Sequence, residues 1–218
     1  AHISHYQLTL EPNTVFHVRP PEGLPDEDLA WDIQERCQAL LEQAGYAQYE
    51  TSAYARPGRQ CAHNLNYWRY GDYLGIGAGA HGKITLGAEQ AILRRWKQRH
   101  PATWMAAAGS AAAVGGDDRI DPERRPFEFM LNALRLHEGF AVAAFEARTG
   151  LPYAAIAAQV EQAVARGWLE RDGGRIRPTA LGRRFANDVI APLNREGDRH
   201  GATIKDGVVT TAPGWKDA

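Results

Sequence analysis

The sequence predicts an α/β segment followed by a helical one, α/β plus α. Three observations carry this. Residues 2–54 read as strand, helix and strand in alternation. Residues 57–83 hold six glycines among His, Asn and aromatic residues, a composition that a helix interior does not tolerate. Residues 118–193 read as three helices, a short hairpin and a closing helix, which is a winged-helix-like order.

The first strand is expected from Ile3, Tyr6, Leu8 and Leu10, stopped by Pro12. After a proline-rich loop at 19–25, Asp26 can cap a helix on which Trp31, Ile33, Cys37, Leu40 and Leu41 recur near helical spacing, with Gly45 past its end. Residues 46–54 alternate as a second strand. Tyr73-Leu74-Gly75-Ile76-Gly77 reads as a further strand entering a glycine-rich loop. A helical stretch is expected over 88–108, interrupted at Pro101, and the small residues 109–116 are expected to be a flexible hinge. In the second half, helices are expected over 123–137, 142–149 and 153–166. Gly150 ends the second of them and Pro152 opens the third. Residues 168–177 form a hairpin around Asp172-Gly173-Gly174, and Thr179 caps a last helix over 180–193. The tail, 194–218, is polar, with one candidate hairpin at 202–211 and no assigned role. The expected domains are therefore 1–87, a helical linker and hinge at 88–117, the helical module at 118–193, and the tail.

Composition narrows the function. With 25 Lys+Arg against 26 Asp+Glu, the net charge of −1 does not suit a chain whose main partner is a polyanion. The expected recognition helix of a winged-helix reader, 153–166, carries a single basic residue, and only Arg171, Arg175 and Arg177 on the hairpin favour nucleic acid. No apolar run is long enough to span a bilayer, and no secretory leader is visible, so the expected location is the cytoplasm. Two cysteines, Cys37 and Cys61, exclude a disulfide scaffold, and no metal cage is legible in the ligand spacing.

Two stretches could carry chemistry. In His63-Asn64-Leu65-Asn66-Tyr67-Trp68 an imidazole stands beside an amide and two aromatic rings, which suits axial ligation of iron in a flat macrocycle; a hydrogen-bonded loop packed on a core is the alternative. In Gly75-Ile76-Gly77-Ala78-Gly79-Ala80-His81-Gly82 the glycines let a ligand approach the backbone, or make a tight turn. A nicotinamide site needs an acidic residue at the end of a second strand some twenty residues on, and a helix is expected there instead. Cys61 near His63 lacks an orienting residue for nucleophilic work. Cys37 reads as a buried thiol. His5 and His17 have no partner at ligand spacing, while Glu11 and Glu50 read as solvated or ion-paired.

Four motifs occur in order: His2-Ile3-Ser4-x-Tyr6-Gln7-Leu8-Thr9-x-Glu11-Pro12, Tyr49-Glu50-x-Ser52-x-Tyr54-Ala55, Cys61-x-His63-Asn64-x-x-Tyr67-Trp68, and the run from Gly71 to Gly82. Together they resemble the HemW-type heme chaperones of the radical S-adenosylmethionine family, relatives of the oxygen-independent coproporphyrinogen III dehydrogenases. Residues 118–193 resemble that family's C-terminal domain. The resemblance implies the C-terminal part of a partial (β/α) barrel over 1–87, followed by the winged-helix-like domain. It also implies a protein that binds heme and delivers it to heme-dependent enzymes such as respiratory ones. The family's Cys-x-x-x-Cys-x-x-Cys motif, which binds a [4Fe–4S] cluster, is absent, so the chain looks like the later part of a longer protein without radical chemistry of its own. Carried over residue by residue, the resemblance places heme contacts on His63, Asn64, Tyr67 and Trp68, with His63 as iron ligand. It places S-adenosylmethionine contacts on Thr9, Gly77, Gly79 and His81, and assigns no catalytic residue. The alternatives are an oxidoreductase of the coproporphyrinogen dehydrogenase type and, from another class, a winged-helix nucleic-acid binder. An open sheet edge would also favour a homodimer.

Overall fold

The computed structural model describes residues 1–12, 14–194, 202–205 and 208–211. The chain falls into two compact units, Ala1–Ala62 and His63–Ala218.

The first unit comprises β1 (His2–Ser4), the single turn α1 (Val15–Val18), α2 (Glu27–Gln43), β2 (Ala47–Glu50) and β3 (Ala53–Ala55). Helix α2 starts where the sequence places it. The Asp26 carboxylate accepts the Leu29 N–H at 2.9 Å, Glu27 and Asp28 favour the positive end of the helix, and Gly45 adopts φ +81° beyond its end. The expected strand through Leu10 stops at Ser4 instead. Its partner β3 offers only three residues, so His2, Ile3 and Ser4 pair with Ala55, Tyr54 and Ala53 and the ladder runs out, leaving Tyr6 and Leu8 exposed. The single strand expected over 46–54 is a tight hairpin, because the Glu50 carboxylate accepts the Ser52 N–H at 3.1 Å and turns the chain there. The strand–helix–strand order survives with β3 inserted between, giving an antiparallel sheet in the order β1-β3-β2.

The second unit opens on α3 (Ala62–Trp68) and continues through β4 (His81–Leu86), β5 (Ala91–Lys97), α4 (Pro101–Ala107) and β6 (Val114–Arg119). Strands β4, β5 and β6 form an antiparallel sheet in that order. Two expectations are corrected here. Of the helix expected over 88–108, only α4 is α-helical, with a single 3-10 turn at Gly87–Glu89. Ile92, Arg94 and Trp96 instead share one face of β5, and Arg94 can face inward because Glu128 takes its guanidinium at 2.7 Å. The expected hinge at 109–116 runs into a strand. Its glycines answer to packing: a Cβ on Gly116 would stand 2.2 Å from Cζ2 of Trp96, and one on Gly115 2.9 Å from Cδ1 of the same ring. The strand expected at 73–77 reduces to one bridge, Tyr73 with Lys83, so the glycine-rich loop precedes β4.

From residue 125 the order is α5 (Arg125–Ala133), β7 (Phe140–Ala141), α6 (Val142–Thr149), α7 (Ala154–Ala165), β8 (Leu169–Asp172), β9 (Arg175–Pro178), α8 (Ala180–Arg184) and α9 (Ala186–Ile190), with a second antiparallel sheet ordered β7-β9-β8. Gly150 ends α6 in the left-handed region, and Gly173 and Gly174 turn the hairpin at φ +53° and +82°. The closing helix is broken at Phe185, whose ring stacks on Trp168 at 5.4 Å. Phe127, Phe129 and Met130 of α5 join Phe145, Ile156, Val160 and Ile176 in one core, which Tyr70 and Ile92 also enter. Buried Arg125 donates to the carbonyls of Ile120, Thr149 and Gln90, tying three segments to α5. Strands β10 (Ala202–Lys205) and β11 (Val208–Thr211) pair as the expected hairpin; the rest of the tail lies outside the described residues. Among the described residues no helix is long and apolar enough to cross a membrane.

Candidate functional site

The stretch from His63 to Trp68, read from sequence as a loop, is helical. Helical spacing puts His63 and Tyr67 on one face and Asn64 and Trp68 on the next. His63 is exposed, whereas Asn64, Tyr67 and Trp68 are half-buried.

The helix ends in a tight reversal. The Tyr70 N–H donates to the Tyr67 carbonyl at 3.0 Å and the Gly71 N–H to that of Asn66 at 2.8 Å, with Tyr70 at φ +56°. A tyrosine in the left-handed region costs roughly 1–2 kcal/mol. Its burial offsets that cost. The ring lies edge-on to Phe129 at 5.8 Å, the hydroxyl donates to the Glu128 carboxylate at 3.1 Å, and the Lys83 ammonium stands 4.1 Å over the ring. Burial, then the Glu128 charge, drives the phenol well above its usual range. Only glycine fits at 71, where a Cβ would meet the Asn66 side-chain oxygen at 2.1 Å.

The same turn is fastened to β4. Asn66 Nδ2 donates to the Asp72 carbonyl at 2.9 Å, and the Asp72 carboxylate accepts from Lys83 at 3.0 Å and from the Thr85 N–H and hydroxyl at 2.9 and 2.8 Å. Burial raises the Asp72 pKa, but these hydrogen bonds outweigh it and hold the carboxyl below its ordinary range. Lys83 is 2% exposed. Burial lowers its pKa and Asp72 works against that shift. Asn66, Tyr70, Asp72 and Lys83 were not singled out from sequence; the dense motif around them was the only signal.

Two rings of this helix cluster with a third, Tyr73, from the loop that follows. Tyr67 meets Trp68 edge-on at 5.1 Å and Tyr73 at 5.2 Å, and the Arg135 guanidinium stands 5.0 Å from the centre of the Trp68 ring. The Trp68 indole N–H is buried and has no hydrogen-bond partner among the described residues. A donor left so costs about 1–3 kcal/mol.

In the glycine-rich loop, a Cβ on Gly75 would stand 2.5 Å from the His81 carbonyl, so the loop closes on itself. Gly77 and Gly79 take φ +110° and +68°. His81 stacks on Trp96 at 6.4 Å, and burial, then Arg94, lowers its imidazole pKa. Leu74 and Ile76 point outward, 75% and 85% exposed. Thr9 belongs to the first unit, past the end of β1, and is exposed, whereas the other candidates belong to the second. The first unit also holds a cleft of about 280 Å³ lined by His5, Tyr6, Gln34 and Tyr54 among others.

Among the described residues no three His, Cys, Asp or Glu side chains gather into a metal site, and both cysteines are free thiols, half-buried. The hairpin arginines are engaged within the chain: Arg171 with Glu161, Arg175 with Glu138, and Arg177 with Glu170 and Asp172.

Residues 120–185 match the family model described as the HemN C-terminal domain. The chain is 47% identical over 189 residues to the heme chaperone HemW of Escherichia coli, covering 87% of this chain and 48% of the relative. It is 44% identical to that of Haemophilus influenzae with the same coverage. It thus spans about half the length of these relatives. A solved structure, coproporphyrinogen III oxidase (HemN) from Escherichia coli, described as a radical SAM enzyme, matches with a TM-score of 0.57 at 17% identity over 79% of this chain and 42% of that one, a likeness of fold.

Proposed function

This chain is HemW-like in sequence over 87% of its length, and from that premise we propose that it is the heme-handling part of a radical S-adenosylmethionine-type heme chaperone. Such a protein would bind heme as cargo and pass it, in the cytoplasm, to heme-dependent recipients. The observation that carries the reading is α3, which offers an exposed imidazole, His63, one helical turn from Tyr67, and a tryptophan whose indole donor has no acceptor among the described residues. A porphyrin needs an iron ligand, flat apolar contact and donors for its carboxylates, and this set contains all three. His63 would ligate the iron, Tyr67 and Trp68 would lie against the ring, and Asn64 would donate at its edge. The reversal at Tyr70 and the Asp72–Lys83 pair hold α3 in place while heme enters and leaves.

Cys37 and Cys61 alone do not fit an iron–sulfur cluster, and cluster ligands would come from elsewhere in a longer protein. For S-adenosylmethionine the proposed contacts in the second unit are the backbone of Gly77 and Gly79 and the side chain of His81, where missing side chains allow close approach. We read residues 1–87 as the closing part of a partial barrel and 118–193 as a winged-helix-like domain. The order α5-β7-α6-α7-β8-β9 with the sheet β7-β9-β8 supports the latter. Its hairpin arginines, Arg171, Arg175 and Arg177, are engaged by internal acids, which favours a structural domain over a nucleic-acid reader.

The test is a hemin titration of the full-length protein, followed by the Soret band, beside His63→Ala. A saturable band is expected, with affinity at least about tenfold weaker or the band displaced in the variant. Identical titrations of the two proteins would remove His63 as the ligand and with it this reading.

A further inference from the structure

Helix α3 is too short to stand alone. It has seven residues, and a helix of that length is unstable in water unless something outside it holds it. Arg69 continues its bonding, with the N–H donating to the Leu65 carbonyl at 2.9 Å. The Arg69 guanidinium then donates twice to one carboxylate oxygen of Glu138, at 2.8 and 3.2 Å, across 69 positions of sequence.

Glu138 is itself presented by a rigid turn, between α5 and β7. The Gly139 N–H donates to the Leu136 carbonyl at 3.0 Å, with Gly139 at φ +59°. A Cβ on Gly139 would stand 1.9 Å from the Ile176 carbonyl, so the turn is pressed against β9. From β9, Arg175 donates to the Glu138 carbonyl at 3.2 and 3.3 Å and stands 3.8 Å from its carboxylate. Turn and strand both lie within residues 120–185, the stretch that matches the HemN C-terminal domain. That domain therefore grips the end of α3.

We propose that Glu138 is a positioning residue for heme: through Arg69 it latches the end of α3 and so steadies His63 at the iron, an inference that rests on the heme reading above. The two side chains are 54% and 47% exposed, so the pair adds little to global stability and is open to salt. Its effect falls on the short helix rather than on the core around α5. Heme retention and fold stability can therefore be measured apart.

The experiment uses the full-length protein and two readouts: hemin loss to excess apomyoglobin, followed in the Soret band, and amide exchange of α3 without heme. Arg69→Gln and Glu138→Gln are each expected to speed both about two- to fivefold, and the double variant no further, because all three lose the same pair. Thermal midpoints are expected to move by less than about 2 °C. Raising salt from about 0.05 M to about 0.5 M is expected to speed hemin loss from the unsubstituted protein towards the variants' rate and to leave the variants unchanged. Glu161→Gln breaks an exposed pair with Arg171 on the hairpin and is the control, expected to change neither readout. Unchanged rates in both single variants, effects that add in the double variant, or an equal response to Glu161→Gln would overturn the latch. His63→Ala separates this from the heme reading. If it speeds hemin loss while Glu138→Gln does not, the latch alone fails. If His63→Ala leaves hemin loss unchanged, the heme reading fails, and Glu138 loses its role in heme positioning with it.

Discussion

His137 lies in the turn after α5 and is held neutral by the fold. Burial, then the Arg183 charge, lowers its pKa from 6.5 to about 4. Between those values the unfolded chain binds a proton that the folded chain refuses, so stability falls as pH drops from 6.5 towards 4 and is unaffected by this group above that window. Allowing for its partial exposure, the loss is about 2 kcal/mol. Urea unfolding of the unsubstituted chain and of His137→Phe at pH 7.5, 6 and 4.5 checks it. The variant is expected to lose that part of the slope, and an unchanged slope would show that other groups set the acid sensitivity. At this scale the sequence was partly legible. His63, Asn64, Tyr67 and Trp68 were singled out by the family motif that they match, and they fall on one short helix, α3. Tyr70 was not singled out, because nothing in a tyrosine announces a left-handed backbone, and its hydroxyl partner Glu128 is 58 residues away.

Elements were legible where their ends are signed by local chemistry, as with Asp26 and Gly45 around α2, Gly150 after α6 and Thr179 before α8. They were misread where a tertiary partner decides. Ile92, Leu93 and Trp96 suit either a helix or a strand. The choice rests on β4 and β6 alongside and on Glu128 receiving Arg94, none of which is local. The glycines of 115–116 looked like flexibility because Trp96, which fills the space above them, is twenty residues away in the chain. The same logic predicts which glycines are irreplaceable. A Cβ on Gly182 would stand 1.7 Å from the Trp168 backbone carbonyl, which has no side-chain freedom to yield, whereas one on Gly87 would meet nothing within 4 Å. Gly182→Ala is therefore expected to destabilise the chain by about 2–3 kcal/mol, and Gly87→Ala by less than about 0.5 kcal/mol. Thermal midpoints of the two variants measure this directly, and equal midpoints would mean that α8 shifts away from β8 at little cost.

At the scale of the molecule, the two units are unequal in what they bury. The second has a continuous core around α5; in the first, Ala53, Tyr54 and Ala55 are the buried hydrophobic residues, and α2 contributes none. The apolar stripe of α2 was legible in the sequence, yet Trp31, Ile33 and Leu40 stand exposed. Helices draw most of their stability from packing an apolar face, so α2 must open at lower cost than α5. Hydrogen exchange of the 218-residue chain is expected to show amides of α2 exchanging at least about a hundredfold faster than those of α5, a gap of roughly 2.7 kcal/mol. Equal protection would show that the two units open together. The relatives are about twice as long as the part of them matched here. The same amides, measured in a full-length protein, are expected to slow while those of α5 stay unchanged. The stripe would then be a burial signal addressed to residues outside this chain, which is why a pattern so plain in the sequence has no counterpart in the core of its own unit.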